Sequence, residues 1–289
     1  MPKPPTPRKP APAHTRRPAA PPSQRPHAPH HAEEHRKLFR VAGLAAVSAL
    51  FEREPQRVER LFFDERLKDA VGAICQRLAR ARRPYRMVDG EELARVAGTP
   101  MHGGVVALIE PRPVPAFDPE AARRWAADKR PLLILDGVGN PHNLGAIVRT
   151  AAFFGFPRLI LSDHPAQALP SEAGYRVAEG GFEWLEVYRA ERFVTALKRL
   201  KGAYRVVGTA LSPHARPPAA LAPSKDGRPV ALVLGNEEEG LPPATLAACE
   251  EVVMIPGAGH VQSLNVAATA AILFHALSSA ESLRLSSDT

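Results

Sequence analysis

Cysteine is scarce in this sequence, whose 289 residues include only Cys75 and Cys249. Two separate cysteines exclude a disulfide framework and any CxxC metal or redox pattern. Long apolar runs are also lacking. The best run, residues 266–277, is interrupted by Thr269 and His275 and falls short of the ~20 residues of a membrane helix. The N-terminus lacks the apolar core of a secretory signal. We therefore expect a soluble cytoplasmic protein without a membrane partner.

Acidic side chains are missing from residues 1–32, which hold six basic residues and therefore most of the net charge of +8. Residues 1–35 also contain 11 of the 31 prolines and almost no large apolar side chain. Such a segment cannot bury enough surface to offset its ordering entropy, so we predict a disordered basic tail that contacts RNA phosphates loosely. Its histidines do not predict a metal site, because a disordered segment offers no fixed geometry.

Three segments follow the tail. The first, residues 36–112, is typical of a small α/β domain, with predicted helices over 41–53, 67–82 and 90–96 and predicted strands over 58–63, 86–88 and 104–109. The second, residues 113–130, predicts a stiff proline-rich linker and a connecting helix. In the third, residues 131–285, short apolar strands alternate with helical segments, which predicts an α/β domain with a mainly parallel sheet.

Three polar loops follow predicted strands of the last segment, at the strand ends where open α/β sheets bind ligands. The first, residues 136–145, leads into a helix that carries Arg149, and it matches neither the GxGxxG fingerprint nor a P-loop. The second, residues 235–241, has three consecutive carboxylates, which do not converge on one point and so give little reason to expect a metal. The third, residues 255–265, holds Ser263 outside any GxSxG nucleophile elbow.

Ordinary structural roles are open for several of these residues when each loop is considered alone. Asn143 lies near the start of a predicted helix and is a natural helix cap, as are Ser263 and Asn265 before the last helix. Arg149 has the residue type most often found as a surface charge.

The three loops carry three motifs: Asn143-Leu-Gly-Ala-Ile-Val-Arg149, Gly235-Asn-Glu-Glu-Glu-Gly-Leu241, and Ile255-Pro followed by Ser263-Leu-Asn-Val266. In this order and spacing, over residues 131–280, they resemble the SpoU/TrmH family of SPOUT RNA methyltransferases. Residues 37–109 resemble the L30e-like substrate-binding domain often fused ahead of that domain, with His102-Gly-Gly in place of the family's His-Gln-Gly. The sequence most resembles a less characterised bacterial branch described generically as tRNA/rRNA methyltransferases.

The resemblance implies a SPOUT α/β domain with a deep trefoil knot, and methyl transfer from S-adenosyl-L-methionine to a ribose 2′-hydroxyl of rRNA or tRNA. It also implies a homodimer that pairs through the first and last helices of the C-terminal domain, and no metal. The implied cofactor contacts are Thr209, Leu234, Gly235, Ile255 and Leu264. The implied catalytic positions are Asn143, Arg149, Glu237, Ser263 and Asn265.

Chemistry narrows some of these implied roles. A guanidinium stays protonated, so we expect Arg149 to hold an RNA phosphate and stabilise the developing alkoxide rather than act as a base. Glu237 would orient Arg149 or the ribose, and Ser263 and Asn265 would hydrogen-bond the ribose or the arginine. The loop glycines would let the backbone approach the cofactor. Two alternatives stay open: an RNA-binding protein of this fold without activity, and a SPOUT enzyme that methylates a base.

Overall fold

The structure is a computed structural model that describes Met1 and residues 38–287, with side chains described up to residue 279. The predicted disordered tail over residues 1–35 therefore lies, apart from Met1, outside the described residues. Within the described part of the chain, no helix is long and apolar enough to cross a membrane.

A four-stranded sheet forms the N-terminal part of the described chain, in the order β1-β4-β2-β3. Strand β4 runs antiparallel to β1 and β2, and β3 runs parallel to β2. The strands are β1 (Phe39–Ala42), β2 (Val58–Phe63), β3 (Tyr85–Met87) and β4 (Val105–Ile109). The helices are α1 (Leu44–Arg53), α2 (Gly72–Arg80) and α3 (Gly90–Ala97).

Two of the helices predicted in this part begin later than expected. The helix predicted over 41–53 begins at Leu44, because residues 39–42 pair with β4 and Gly43 then turns the chain with a φ of 95°. The helix predicted over 67–82 begins at Gly72, after a short 3-10 turn at Glu65–Leu67. Strand pairing between distant residues thus overrode a helical periodicity that includes Val41.

A six-stranded sheet forms the C-terminal part, and its strands pair in parallel in the order β10-β8-β9-β5-β6-β7. This architecture confirms the predicted α/β class with a parallel sheet. The strands are β5 (Leu132–Asp136), β6 (Arg158–Leu161), β7 (Glu186–Arg189), β8 (Arg205–Thr209), β9 (Val230–Gly235) and β10 (Glu251–Val253). The helices are α4 (Pro119–Trp125), α5 (Pro141–Phe153), α6 (Glu172–Ala178), α7 (Phe193–Leu200), α8 (Pro243–Ala248) and α9 (Val266–Ser287).

Helices cover both faces of this sheet, which explains why its central strands are apolar without alternation. Leu133 and Leu135 of β5 belong to the core shared with α5 and α9, whereas Leu132 and Ile134 belong to the core shared with α4 and α7. Every residue of β5 and β9 is buried. The loops that follow β5 and β9 therefore start from buried, closely packed strand ends.

The segment predicted as a linker, residues 113–130, packs along the edge of the parallel sheet. The N–H of Phe117 donates to the carbonyl of Arg189 at 2.7 Å, and the N–H of Arg189 donates to the carbonyl of Pro115 at 2.9 Å. The connecting helix expected here is the short helix α4, followed by a 3-10 turn at Ala126–Asp128.

A cluster of buried charged side chains connects residues near the four-stranded sheet with residues near the six-stranded sheet. The Arg57 guanidinium lies 3.0 Å from a carboxylate oxygen of Glu183 and donates to the Tyr175 hydroxyl at 3.2 Å. Arg112 contacts the same Glu183 carboxylate at 3.2 Å, and Glu54 contacts Arg57 at 2.7 Å. Burial raises the pKa of Glu183, and the neighbouring cations Arg57 and Arg112 oppose that rise. The cluster links Glu54, Arg57 and Arg112, near the four-stranded sheet, to Tyr175 and Glu183 in the part of the chain that forms the six-stranded sheet.

We expect Gly145→Ala to lower the unfolding temperature. A Cβ at Gly145 would lie 2.4 Å from the Gly174 carbonyl oxygen and 2.9 Å from Val177, so α5 and α6 would have to separate. Overpacking of this kind typically costs about 1–3 kcal/mol. Gly202→Ala is the matched control, because a Cβ there meets nothing within 4 Å. Equal unfolding temperatures for the two variants would contradict the close helix contact.

Candidate active site

The three motif loops leave the sheet at the carboxyl ends of β5, β9 and β10. Strands β5 and β9 are neighbours, and their pairing sets Asp136 opposite Gly235. The first and second loops therefore start side by side. The third loop follows β10 and leads into α9, which packs against α5, the helix that follows the first loop. All three loops thus converge at one end of the domain.

One residue from each loop meets in a hydrogen-bonded cluster. The Asn143 side chain donates from Nδ2 to Oε1 of Glu237. The Asn265 side chain donates from Nδ2 to Oδ1 of Asn143 at 3.1 Å. Glu237 is half-buried and Asn265 is exposed, so the cluster lies at the surface. The tertiary structure therefore brings together three of the five predicted catalytic positions.

The capping interpretation is wrong for Asn143 and right for Asn265. Asn140 caps α5, because its side chain accepts from the N–H of His142 at 2.8 Å, and Asn143 lies in the first turn. Its amide is therefore available to Glu237. Asn265 accepts from the N–H of Ala267 at 2.8 Å through Oδ1, while its Nδ2 group serves the cluster. One side chain thus both caps α9 and contacts the site.

Arg149 and Ser263 lie outside this cluster. Six residues along a helix correspond to about 9 Å of rise and a net rotation of about 120°, so Arg149 faces away from Asn143. Arg149 instead forms an exposed ion pair of 2.9 Å with Glu179. The partner observed for Glu237 is Asn143, and a role of Glu237 in orienting Arg149 or the ribose stays a prediction. Ser263 is exposed on the third loop.

The predicted cofactor contacts follow three adjacent strands. Thr209 ends β8, Leu234 and Gly235 end β9, and Ile255 comes just after β10. Because β8 lies between β10 and β9 in the sheet, these residues form a continuous row at its edge. The hydroxyl of Thr209 donates to the carbonyl of Val233 at 3.2 Å, and Leu264 is exposed on the third loop.

Gly235 also has a structural role in the second loop. A Cβ at Gly235 would lie 2.5 Å from the carbonyl carbon of Gly240 and 2.6 Å from the N–H nitrogen of Leu241. The loop's own closure therefore requires this glycine, whether or not a ligand approaches. Gly240 adopts a positive φ of 71°, which favours glycine for conformational reasons.

Asn236 holds the second loop against the first, a role that sequence reasoning missed. Its Nδ2 group donates to the carbonyl of Gly137 at 2.9 Å, and its Oδ1 accepts from the N–H groups of Glu238 and Glu239 at 2.8 and 3.1 Å. An Asn that binds the backbone two residues ahead is a recognised turn signal, so the sequence did contain a clue.

Within the described residues, no group of three His, Cys, Asp or Glu side chains could hold a metal.

Buried polar contacts support the first loop from below. Asp136 is buried and accepts from the hydroxyl of Thr245 at 2.7 Å. The buried side chain of Gln167 accepts from the N–H of Val138 at 3.1 Å and donates to its carbonyl at 3.2 Å. The sequence offered no local signal for either pair, because the partners lie 109 and 29 positions apart.

The fold and the three converging loops define an RNA methyltransferase of the SPOUT class. The sequence profile of the SpoU rRNA Methylase family matches residues 130–275, and the profile described as RNA 2'-O ribose methyltransferase substrate binding matches residues 40–115. The chain belongs to the SpoU rRNA Methylase family. The predicted family is confirmed, and the trefoil knot stays a prediction.

Known relatives agree with this assignment. The chain is 34% identical over 240 residues to the 23S rRNA (guanosine-2'-O-)-methyltransferase RlmB of Acinetobacter baylyi, covering 81% of this chain and 94% of that protein. It is 33% identical to the uncharacterized tRNA/rRNA methyltransferase YfiF of Escherichia coli O157:H7, covering 81% of this chain and 66% of that protein.

A solved structure has the same fold. It is the SpoU methyltransferase AviRb from Streptomyces viridochromogenes in complex with the cofactor AdoMet, with a TM-score of 0.65 and 25% sequence identity. The likeness covers 86% of this chain and 91% of that one.

Proposed function

We propose that this protein transfers a methyl group from S-adenosyl-L-methionine to a ribose 2′-hydroxyl of ribosomal RNA. The observation that carries the proposal is the Asn143–Glu237–Asn265 cluster beside the row of strand ends. Polar groups that can hold a ribose thus lie next to a backbone edge that can hold the cofactor. The relative in Acinetobacter baylyi, named for a 23S rRNA guanosine, supports the choice of RNA.

The residues present fit the cofactor. The strand ends at Thr209, Gly235 and Ile255 offer backbone donors and acceptors, and the loops around them expose the apolar side chains of Leu264 and Leu211. Binding pockets for small molecules usually combine such apolar walls with a few polar groups. We propose that Thr209, Leu234, Gly235, Ile255 and Leu264 hold S-adenosyl-L-methionine, which supplies a methyl group already activated by its sulfonium.

The chain's own residues would then position the RNA. In this proposal Asn143 holds Glu237 through Oε1, and the other carboxylate oxygen of Glu237 accepts a hydrogen bond from the ribose. Asn265 fixes the Asn143 amide, and Ser263 offers a hydroxyl from the third loop. Arg149 binds a phosphate and stabilises the alkoxide that develops on the 2′-oxygen. Arg149 is exposed, and its pair with Glu179 would have to open for the guanidinium to bind a phosphate.

The two folded parts divide the work in this proposal. Residues 36–112 bind the RNA and residues 131–285 carry out transfer, joined by residues 113–130. We also propose a homodimer formed through α5 and α9. Its support is an exposed apolar surface: the Phe153 side chain at the end of α5 is 83% exposed and Ile272 on α9 is 41% exposed. The cytoplasm, where ribosomal RNA is made in bacteria, is the proposed location.

Calorimetry and a methylation assay test the proposal directly. We expect heat of binding with S-adenosyl-L-methionine and with its demethylated product, and radioactive methyl transfer to a 23S rRNA transcript. Mapping by resistance to alkaline hydrolysis should place the methyl group on a ribose. Label on a base would support the base-methylating alternative. RNA binding without transfer, in the presence of bound cofactor, would support the inactive RNA-binding alternative.

A further inference from the structure

The N-terminal part of the described chain has a cluster of basic side chains on its surface that belongs neither to the candidate active site nor to the proposed cofactor contacts. Residues 77–86 contain five arginines and no acidic residue. They form the last turn of α2, the following turn and strand β3. We define the edge patch as Arg80, Arg82, Tyr85, Arg86 and Met87, all of which are exposed.

Two of the patch arginines are free to bind a ligand. Arg86 pairs with Glu92, and the neighbouring Arg83 pairs with Glu59. Neither Arg80 nor Arg82 has a carboxylate partner in the part of the chain that the structure describes. Arg82 also adopts a positive φ of 55°, which belongs to the turn between α2 and β3. The patch therefore carries uncompensated positive charge at a defined place.

An aromatic and a thioether side chain lie within the same surface. Tyr85 and Met87 stand two residues apart on β3 and so share one face of the strand. Their exposed fractions are 44% and 50%, although both are large and apolar. Strand β3 forms one edge of the four-stranded sheet, where no further strand covers them in the described chain.

Strand β3, which carries Tyr85, Arg86 and Met87, lies at the edge of the four-stranded sheet opposite to β1. The opposite edge strand, β1, contacts α6, where the N–H of Arg40 donates to Glu172 at 3.0 Å. Three strand spacings of about 4.8 Å separate the two edges, or about 14 Å. The patch therefore lies about 14 Å across the sheet from the β1–α6 contact.

We propose that the edge patch binds an unpaired segment of the RNA substrate, with phosphates on Arg80 and Arg82 and a base stacked on Tyr85. Single-stranded RNA is recognised through stacking on aromatic side chains combined with basic grooves along the backbone, and this is the combination seen here. An acidic protein partner would use the arginines but not the exposed face of Tyr85. The inference rests on the proposed methylation of RNA and specifies where its substrate is held.

Binding measurements on the full chain test the arginines and the aromatic ring of the edge patch separately. Arg80→Ala with Arg82→Ala should weaken binding of a 23S rRNA transcript and flatten the plot of log affinity against log salt by about 1.4, because each phosphate contact to a single strand contributes about 0.7. Arg124→Ala with Lys198→Ala removes the same charge from exposed positions on α4 and α7 and is the matched control. It should change the slope much less.

Tyr85→Ala should weaken binding of a single-stranded oligoadenylate of about 20 nucleotides about tenfold, while Tyr85→Phe should bind like the wild type. Binding to an RNA duplex of equal length should change little. In methylation assays the patch variants should raise KM for RNA and leave kcat and the cofactor Kd unchanged.

The outcomes separate this inference from the proposed function. A wild-type protein that methylates RNA, together with patch variants that bind RNA as the control does, would overturn the edge patch alone. Unchanged RNA binding with loss of an acidic protein partner would assign the surface to protein. A wild-type protein that transfers no methyl group would overturn the proposed function, whereas altered binding by the patch variants would still support the RNA surface.

Discussion

Arg149→Ala is expected to lower kcat for methyl transfer by about 10²–10³-fold and to leave the Kd for S-adenosyl-L-methionine nearly unchanged. The factor is that found when one donor to a developing oxyanion is removed. Cofactor binding should survive because the proposed contacts come from β8, β9 and the third loop, whereas Arg149 lies on α5. Arg149→Lys should rescue only in part, because an ammonium lacks the planar two-donor geometry.

The ion pair with Glu179 provides the control for this prediction. Glu179→Gln breaks the same pair but keeps the arginine. If Arg149 acts on the RNA, Glu179→Gln should retain most of the activity. If both variants lose activity equally, the arginine serves the structure and the catalytic assignment is wrong. Near wild-type transfer by Arg149→Ala would also contradict it.

A mixing experiment shows where Arg149 acts. Within one chain the arginine faces away from the Asn143 cluster, so it reaches a ribose held there only if the Glu179 pair opens or if a second copy supplies it. Mixing Arg149→Ala with Glu237→Gln protein after subunit exchange should restore activity in the second case. No restoration would be expected when both groups must come from one chain.

Arg57→Ala is expected to destabilise the protein by about 3–5 kcal/mol, the usual cost of removing one partner from a buried ion pair. The Glu183 side chain is only 2% exposed, so its carboxylate would stay buried with Arg112 as its remaining cation. Chemical denaturation measures the change. Arg199→Ala breaks an exposed pair with Glu120 and should cost at most about 1 kcal/mol.

The loss of stability caused by Arg57→Ala should also depend on pH. Burial raises the pKa of Glu183, and removal of Arg57 takes away a charge that opposes that rise. A carboxyl whose pKa is higher in the folded state binds protons more readily when folded, so the folded state gains stability as pH falls. The difference between wild type and Arg57→Ala should therefore shrink as the pH is lowered from neutral toward the titration range of Glu183. A difference that is constant with pH would contradict the role of Glu183.

The sequence by itself determined the class of protein and the residues proposed for its active site. Alternating strands and helices after residue 131 predicted the parallel sheet, because burial on both faces selects apolar strands. The order and spacing of the three motifs predicted the family by resemblance, and the motifs follow strand ends, where open α/β sheets bind ligands. The bounds of strand β2, residues 58–63, also follow from the local pattern of side chains.

Only the tertiary structure decided which of these residues meet. Asn143 contacts Glu237 and Asn265 across 94 and 122 positions, and no local pattern encodes such a distance. Packing likewise turned Arg149 toward Glu179 and made residues 39–42 a strand, because their pairing partners lie in β4. Local sequence fixes backbone preferences over a few residues, whereas these contacts depend on how distant elements pack, and packing is a property of the whole chain.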